Sequence, residues 1–404
     1  MYAADQITGT IGVEDVLAGK QIRDVDKGLY MILGDNHLAP MVAITGKTMA
    51  IKKRAVAKNP KFEWTRKDLF PRWTAAATAA SAGTTLSFNV TADEGSFIKI
   101  GDEIEFPEMV ISATTTRVFY VTSITTDTVG LSPVGFQTDG STALTCPAVT
   151  VGMRMHILSD ASDEYSTMPA VKVVKDTQEY NYVQFLRKPY IIGNIELEIS
   201  QYTGPERTER RAETLREIKM EWEKVLIWGE RGYIAGSAGR KYFSRGLKSS
   251  ITLAAGNNIL DWSGGLTESQ LDEYLLEGPC KFGGQRKYWF MSTDLFLKVN
   301  ELAKGKERIV NNKINSLGLA ILEYKAPNGK ILYLHQHYMF EEGYEGAGLI
   351  VDPEYIGVRP YGTQGAIKLH TEIQPNDAAG VADEWRILAG LQVDRTEPHG
   401  WQHV

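Results

Sequence analysis

Between Pro205 and Gly229 apolar side chains recur every three or four positions, at Ala212, Leu215, Ile218, Trp222, Val225 and Leu226. That spacing puts them on one stripe of a 3.6-residue helix. The opposite face is dense in charge, with Glu206 and Arg210, Glu213 and Arg216, and Lys219 and Glu223 spaced so that opposite signs meet. Pro205 suits a first helical turn, Thr203 or Gly204 can cap it, and Gly229 stops the run. At 1.5 Å per residue such a helix is roughly 35 Å long, a girder more than a local prop.

Around the helix the period changes. Residues Glu179 to Pro189 read as extended, followed by Tyr190 to Leu197. From 74 to 153 the composition shifts to Thr, Ser, Val, Ala and Gly, and Ser96–Ile100, Asp102–Phe106 and Arg117–Ile124 predict strands. Gly101-Asp102, Thr126-Asp127 and Asp139-Gly140 punctuate them, so the segment predicts a small inserted β domain. Beyond 230 strands and helices alternate. Thr267 with Gln270 is a capping-box pattern ahead of a helix to Leu276. A strand at Lys287–Met291 precedes a helix at Asp294–Leu302. Leu317–Leu322, Pro327-Asn328-Gly329 and Lys330–Phe340 predict a hairpin, with Asn-Gly supplying a type I′ turn.

The order of these segments resembles one family. The Asn181-Tyr182 to Pro189 stretch, the long helix, a Gly-rich run through Gly246 and then Gly264-Gly265-Leu266-Thr267-Glu268 are similar to the major capsid proteins of tailed bacteriophages, in a subfamily of the Hong Kong 97-type fold with an inserted β domain. The resemblance is carried by residues 175–300, with weaker agreement at Phe62-Glu63-Trp64 and Pro398–Trp401. It implies an α+β chain with an N-terminal arm at 1–45 and an extended loop with flanking strands at 46–73 and 154–190. The inserted domain is then 74–153, the peripheral domain with its spine helix 206–228 is 191–257 and 350–404, and the axial domain is 258–349. The implied function is structural. Copies form hexamers and pentamers of an icosahedral head around double-stranded DNA, without reading its sequence, in a virion assembled in the host cytoplasm. Portal, scaffold and cement proteins are the further candidate partners, and no cofactor is implied.

Composition narrows the choice. The 404-residue chain carries a formal charge of −6, which gives no general nucleic-acid signature, so DNA would meet it as a wall. Basic residues concentrate at 46–72, in Lys47, Lys52, Lys53, Arg54, Lys58, Lys61, Arg66, Lys67 and Arg72. In the resembling family this is the loop that lies across the adjacent subunit, with Phe62, Trp64, Leu69 and Phe70 as apolar anchors; otherwise it is a solvated hairpin. Candidate subunit-contact residues are Lys52, Lys53, Arg54, Phe62, Trp64, Arg66, Phe70, Arg187, Arg207, Arg210 and Arg211. Cys146 and Cys280 are far apart in sequence and read as buried thiols in a reducing compartment. Residues 1–30 are charged throughout, so no signal peptide is expected, and Met1 leads to the expectation that no leading segment has been removed. Trp73–Ala92 lacks charge but is too poor in large apolar residues for a membrane span.

No catalytic motif emerges. His335 and His337, two apart on an expected strand, with Glu341 nearby, lack specified third and fourth metal ligands and read better as core or interface aromatics. Glu341, Glu342 and Glu345 give no paired carboxylates in an apolar pocket. Asn89-Val90-Thr91 matches a glycosylation sequon without a secretion signal. Two other readings remain open from sequence. One is a cellular encapsulin-like nanocompartment shell, and the other a glycan-binding or hydrolytic protein with the β segment as its recognition module.

Overall fold

The computed structural model describes residues 52–404 apart from 54–55, 68–71, 113, 136–141, 143, 163, 165–173, 175, 200–204, 238, 254–257, 264, 304–321, 342 and 363–366. The expected N-terminal arm, the Asp139-Gly140 turn, the caps at Thr203 or Gly204 and the strand at 317–321 lie outside these residues. The chain divides into two compact units, one of residues 1–64 with 179–404 and one of 65–178.

The first unit is built on two sheets and the long helix. In one sheet Gly380–Val393 runs beside Gln184–Gly193 on one edge. Ile356–Pro360 and Ile367–His370 line its other edge. Lys52–Lys53 adds a parallel strand to Ile356–Pro360. The second sheet has six strands in the order Ile259–Asp261, Gly400–His403, Gly348–Val351, Arg286–Met291, Ile331–Gln336 and Leu322–Lys325. All four residues of Gly348–Val351 are buried, because this strand is central and covered on both faces.

The helix spans Glu206–Trp228, bounded by Pro205 and Gly229. Its buried face is Thr214, Ile218, Trp222, Glu223, Leu226 and Ile227, packed with Leu349, Ile387 and Trp401 into one core shared by both sheets. Ala212, expected on the apolar stripe, is exposed. Glu223 is the larger correction. Sequence reasoning sets it on the charged surface beside Lys219, yet it is fully buried and lies 2.9 Å from His337 Nε2. A carboxylate can sit among Trp222, Leu226 and Ile227 because a facing imidazole pairs with it.

The other face of the second sheet packs on helices Glu268–Glu277 and Thr293–Ala303, through Leu271, Leu275, Leu295 and Val299. The Thr267–Gln270 capping box is present. The hairpin between Leu322–Lys325 and Ile331–Gln336 is present too, but its turn differs from type I′. The Gly329 N–H bonds the Ala326 carbonyl at 2.8 Å, so Pro327 and Asn328 are the central residues, Pro327 fixes the negative φ that type I′ excludes there, and of the turn residues only Gly329, at φ 84°, is left-handed. Asn194–Glu198 is a short helix directly after the strand Gln184–Gly193.

The second unit carries a six-stranded antiparallel sheet in the order Trp73–Ala75, Arg154–Asp160, Asp102–Glu105, Val118–Thr125, Thr128–Pro133, Leu86–Asn89. Phe106 sits edge-on to Phe88 at 6.0 Å and to Phe119 at 5.5 Å in its core. Ser96–Ile100 is not a strand. Ser96 Oγ donates to the Asp93 carbonyl at 2.9 Å and the Lys99 N–H to Asp102 Oδ2 at 2.7 Å, and these local bonds hold the segment in a helical turn and a bend. Both cysteines are free and buried, and burial pushes the Cys146 thiol up to about 11.

Candidate assembly surface

The strand Gln184–Gly193 is ten residues long and bonded to a neighbour along one side only. Among the described residues its other backbone edge is unpaired, and Pro189, which has no N–H to give, sits in it as edge strands allow. Alternate side chains of this strand point outward, with Phe185 half exposed and Ile191 76% exposed. Ile195 follows at 84% and Ile199 at 56%. Exposed apolar side chains of this kind, on and just beyond a free strand edge and interrupted by Arg187, mark a surface that takes a partner.

What ties this edge to its neighbouring strand and to the long helix is a polar cluster that sequence reasoning misses. Asp383 and Glu384 lie in the strand opposite, and both side chains are fully buried. Asp383 accepts two bonds from Arg207 at 2.9 Å each, one from Arg211 at 3.0 Å, one from Tyr190 Oη at 2.7 Å and one from the Glu372 N–H at 3.0 Å. Burial alone would raise its pKa, but these donors hold the carboxyl well below the usual carboxylate range. The same pairing raises Arg207. Glu384 is held low by Arg187, which donates to both carboxylate oxygens, and by Arg386, which donates to Oε2 at 2.8 Å. Trp385 Nε1 donates to the Arg211 carbonyl at 3.0 Å. The start of the long helix is thereby clamped to the sheet. The available signal is the Asp383-Glu384 dipeptide inside a strand otherwise rich in apolar residues.

The predicted contact residues divide accordingly. Arg187, Arg207 and Arg211, placed at a subunit contact by sequence reasoning, commit their guanidinium groups to Asp383 and Glu384 of their own chain. Arg210 is more than half exposed and pairs with Glu206 at 2.7 Å and Glu213 at 3.1 Å on the helix surface. Phe62 is 4% exposed in a cluster with Ala57 and Val183, so its side chain has no free surface to offer a neighbouring copy. Trp64 stacks on Phe62 at 5.9 Å and is half-buried. Arg66 ends the strand Lys61–Arg66, which pairs with Thr177–Tyr182. Lys52 and Lys53 lie in register with Gly357 and Val358. Arg54 and Phe70 fall outside the described residues.

No group of three or more metal-ligating side chains occurs among the described residues. His335 and His337 do not share a strand face. His335 ends inside the strand against Tyr288 and Phe290, while His337 lies past it on Glu223. Burial pushes His335 down to about 4, with His337 adding to the shift. Glu341 instead bonds Thr293 and Gln336. No described helix is long and apolar enough to cross a membrane.

A mixed α+β subunit with a clamped girder helix and an open, apolar strand edge is a building block for larger assemblies. The chain belongs to the SU10 major capsid protein family, which it matches over residues 7–402. It is therefore a structural component of a phage capsid, of the Hong Kong 97 type, and self-assembles into capsid oligomers. No curated protein sequence matches it. Among solved structures it is similar to the capsid of Myoviridae phage XM1, at 10% identity over 98% of this chain and 99% of that one, with a TM-score of 0.46. The capsid of cyanophage P-SCSP1u is 8% identical over 61% and 80% of the two chains, with a TM-score of 0.42. The SrpI encapsulin complex of Synechococcus elongatus is 12% identical over 57% and 77%, with a TM-score of 0.39.

Proposed function

We propose that copies of this chain close into hexamers and pentamers, and these into an icosahedral head around double-stranded DNA. The observation that carries the proposal is the unpaired ten-residue strand edge with its exposed Phe185 and Ile191, and Ile195 just beyond it, in a chain whose family builds capsids. Head-to-tail contacts generate rings, and many modest contacts add so that no single pair need bind tightly. Residues 1–45 act as an arm, 46–73 and 154–190 as an extended loop reaching a neighbour, and 74–153 as an insert decorating or reinforcing the shell. The peripheral domain comprises 191–257 and 350–404, and the axial domain 258–349. Lys52, Lys53, Trp64, Arg66 and Arg210 are the described candidates for intersubunit contact. Assembly takes place in the host cytoplasm, with portal, scaffold and cement proteins as further partners. Native mass spectrometry of the purified chain tests this. Species of five and six copies support it, and a chain that stays monomeric at all concentrations overturns it.

A further inference from the structure

A groove runs between residues 56–63 and the hairpin formed by Gly232–Gly236 and Gly239–Phe243. Two adjoining cavities of about 560 and 460 Å³ share Pro60, Arg240 and Tyr242 in their walls. The chain as a whole is acidic, but this groove is not. Lys58, Lys61, Arg240, Lys241 and Arg359 line it against the single carboxylate of Glu63, among the described residues. Apolar surface lies between the charges, with Val56, Tyr233 and Phe185 each about half exposed. Tyr182 is the hub of the wall, 5.5 Å from Tyr242 and 6.1 Å from Tyr233. The Arg359 Nε is buried and has no hydrogen-bond partner.

A basic, partly apolar cleft of this shape fits an extended acidic segment that carries aliphatic side chains. It fits a nucleic-acid strand less well. The cations already lie over the ring faces on which bases would stack, with Arg240 5.1 Å from Tyr233 and Arg359 5.2 Å from Phe62. One stretch of this chain has the complementary chemistry. Residues 5–17 hold Asp5, Glu14 and Asp15 with no Lys or Arg, interspersed with Ile7, Ile11, Val13, Val16 and Leu17.

We propose that the groove between residues 56–63 and the 232–243 hairpin receives residues 5–17 of a second copy, the carboxylates meeting Lys58, Arg240 and Lys241 and the aliphatic side chains meeting Val56 and Phe185. The proposal rests on the capsid reading and names the receptor for the arm. The test is carbodiimide cross-linking, which joins a carboxylate to a lysine at zero length, on shells assembled from a mixture of 15N-labelled and unlabelled full-length chain. The expected result is links from Asp5, Glu14 or Asp15 to Lys58, Lys61 or Lys241 that pair labelled with unlabelled peptides. Links to lysines elsewhere, or links only within one isotope, overturn it. So does a nucleotide adduct on Tyr233 or Tyr242 after ultraviolet irradiation of filled particles, which would make DNA the occupant. The combined Lys58→Glu, Arg240→Glu and Lys241→Glu variant is expected to lower shell yield about tenfold, and Asp5→Lys, Glu14→Lys and Asp15→Lys in the same chain to restore it. Shells that form normally without these links refute the groove and leave the capsid reading standing; a chain that forms no shells at all refutes the capsid reading.

Discussion

Replacing Asp383 by Asn tests whether the clamp, more than the helix's own propensity, fixes the long helix to the sheet. The carboxylate is fully buried and receives five hydrogen bonds, three of them from Arg207 and Arg211. Asparagine keeps the shape but removes the charge, leaving two guanidinium groups facing a neutral amide. Removing one partner of a buried ion pair typically costs 3–5 kcal/mol. Arg207 and Arg211 retain 28% and 36% of their side-chain exposure, so water recovers part of the loss and the expected cost is about 3 kcal/mol. Tyr190→Phe, which removes one neutral donor, is expected to cost about 1 kcal/mol. The assay is urea unfolding of unassembled protein followed by tryptophan fluorescence, since Trp385 donates to the Arg211 carbonyl beside the cluster. The pH dependence gives a second readout. The folded pKa of Asp383 is depressed, so its contribution is fully present above its ordinary value of 3.8 and is lost as pH falls through the lowered one. The variant should lose that acid sensitivity. A Asp383→Asn protein within about 0.5 kcal/mol of the parent would refute the clamp.

Three further outcomes follow from the same geometry. His335 is buried neutral with its pKa lowered from 6.5 to about 4, so the unfolded chain binds the extra proton and stability should fall by about 3 kcal/mol between those pH values; His335→Phe should flatten that slope in pH-dependent urea unfolding. Trp222→Ala empties the centre of the shared core and should cost about 3–5 kcal/mol by the same unfolding measurement. A Cβ on Gly390 would come within 2.5 Å of Phe62 and 2.6 Å of the Tyr182 carbonyl, so Gly390→Ala should destabilise by about 1–3 kcal/mol and raise hydrogen exchange in the 56–62 segment.

The helix was readable because periodicity, Pro205 and Gly229 all agree, and its ends fall at Glu206 and Trp228. The capping box at Thr267 and the strand before Thr293 were readable for the same reason: the signals are local. Glu223 was not, because a carboxylate in a helix reads as surface unless one knows that His337, more than a hundred residues away, faces it. Asp383 is the same case, its donors coming from a strand and a helix remote in sequence. The partners of the candidate contact residues within their own chain were not readable, because a sequence gives the charge and not the partner. For Arg207 and Arg211 the partner is an acid of the same chain, and for Phe62 it is Ala57 and Val183. Ser96–Ile100 alternates like a strand, and only the bonds from Ser96 and Lys99 back to nearby acceptors show why it turns.

Electron microscopy of the purified full-length chain tests the central claim most directly. Closed shells, or rings of five and six copies that grow into shells as concentration rises, are the predicted result. Particles that keep the dimensions of a single subunit under every assembly condition would contradict it.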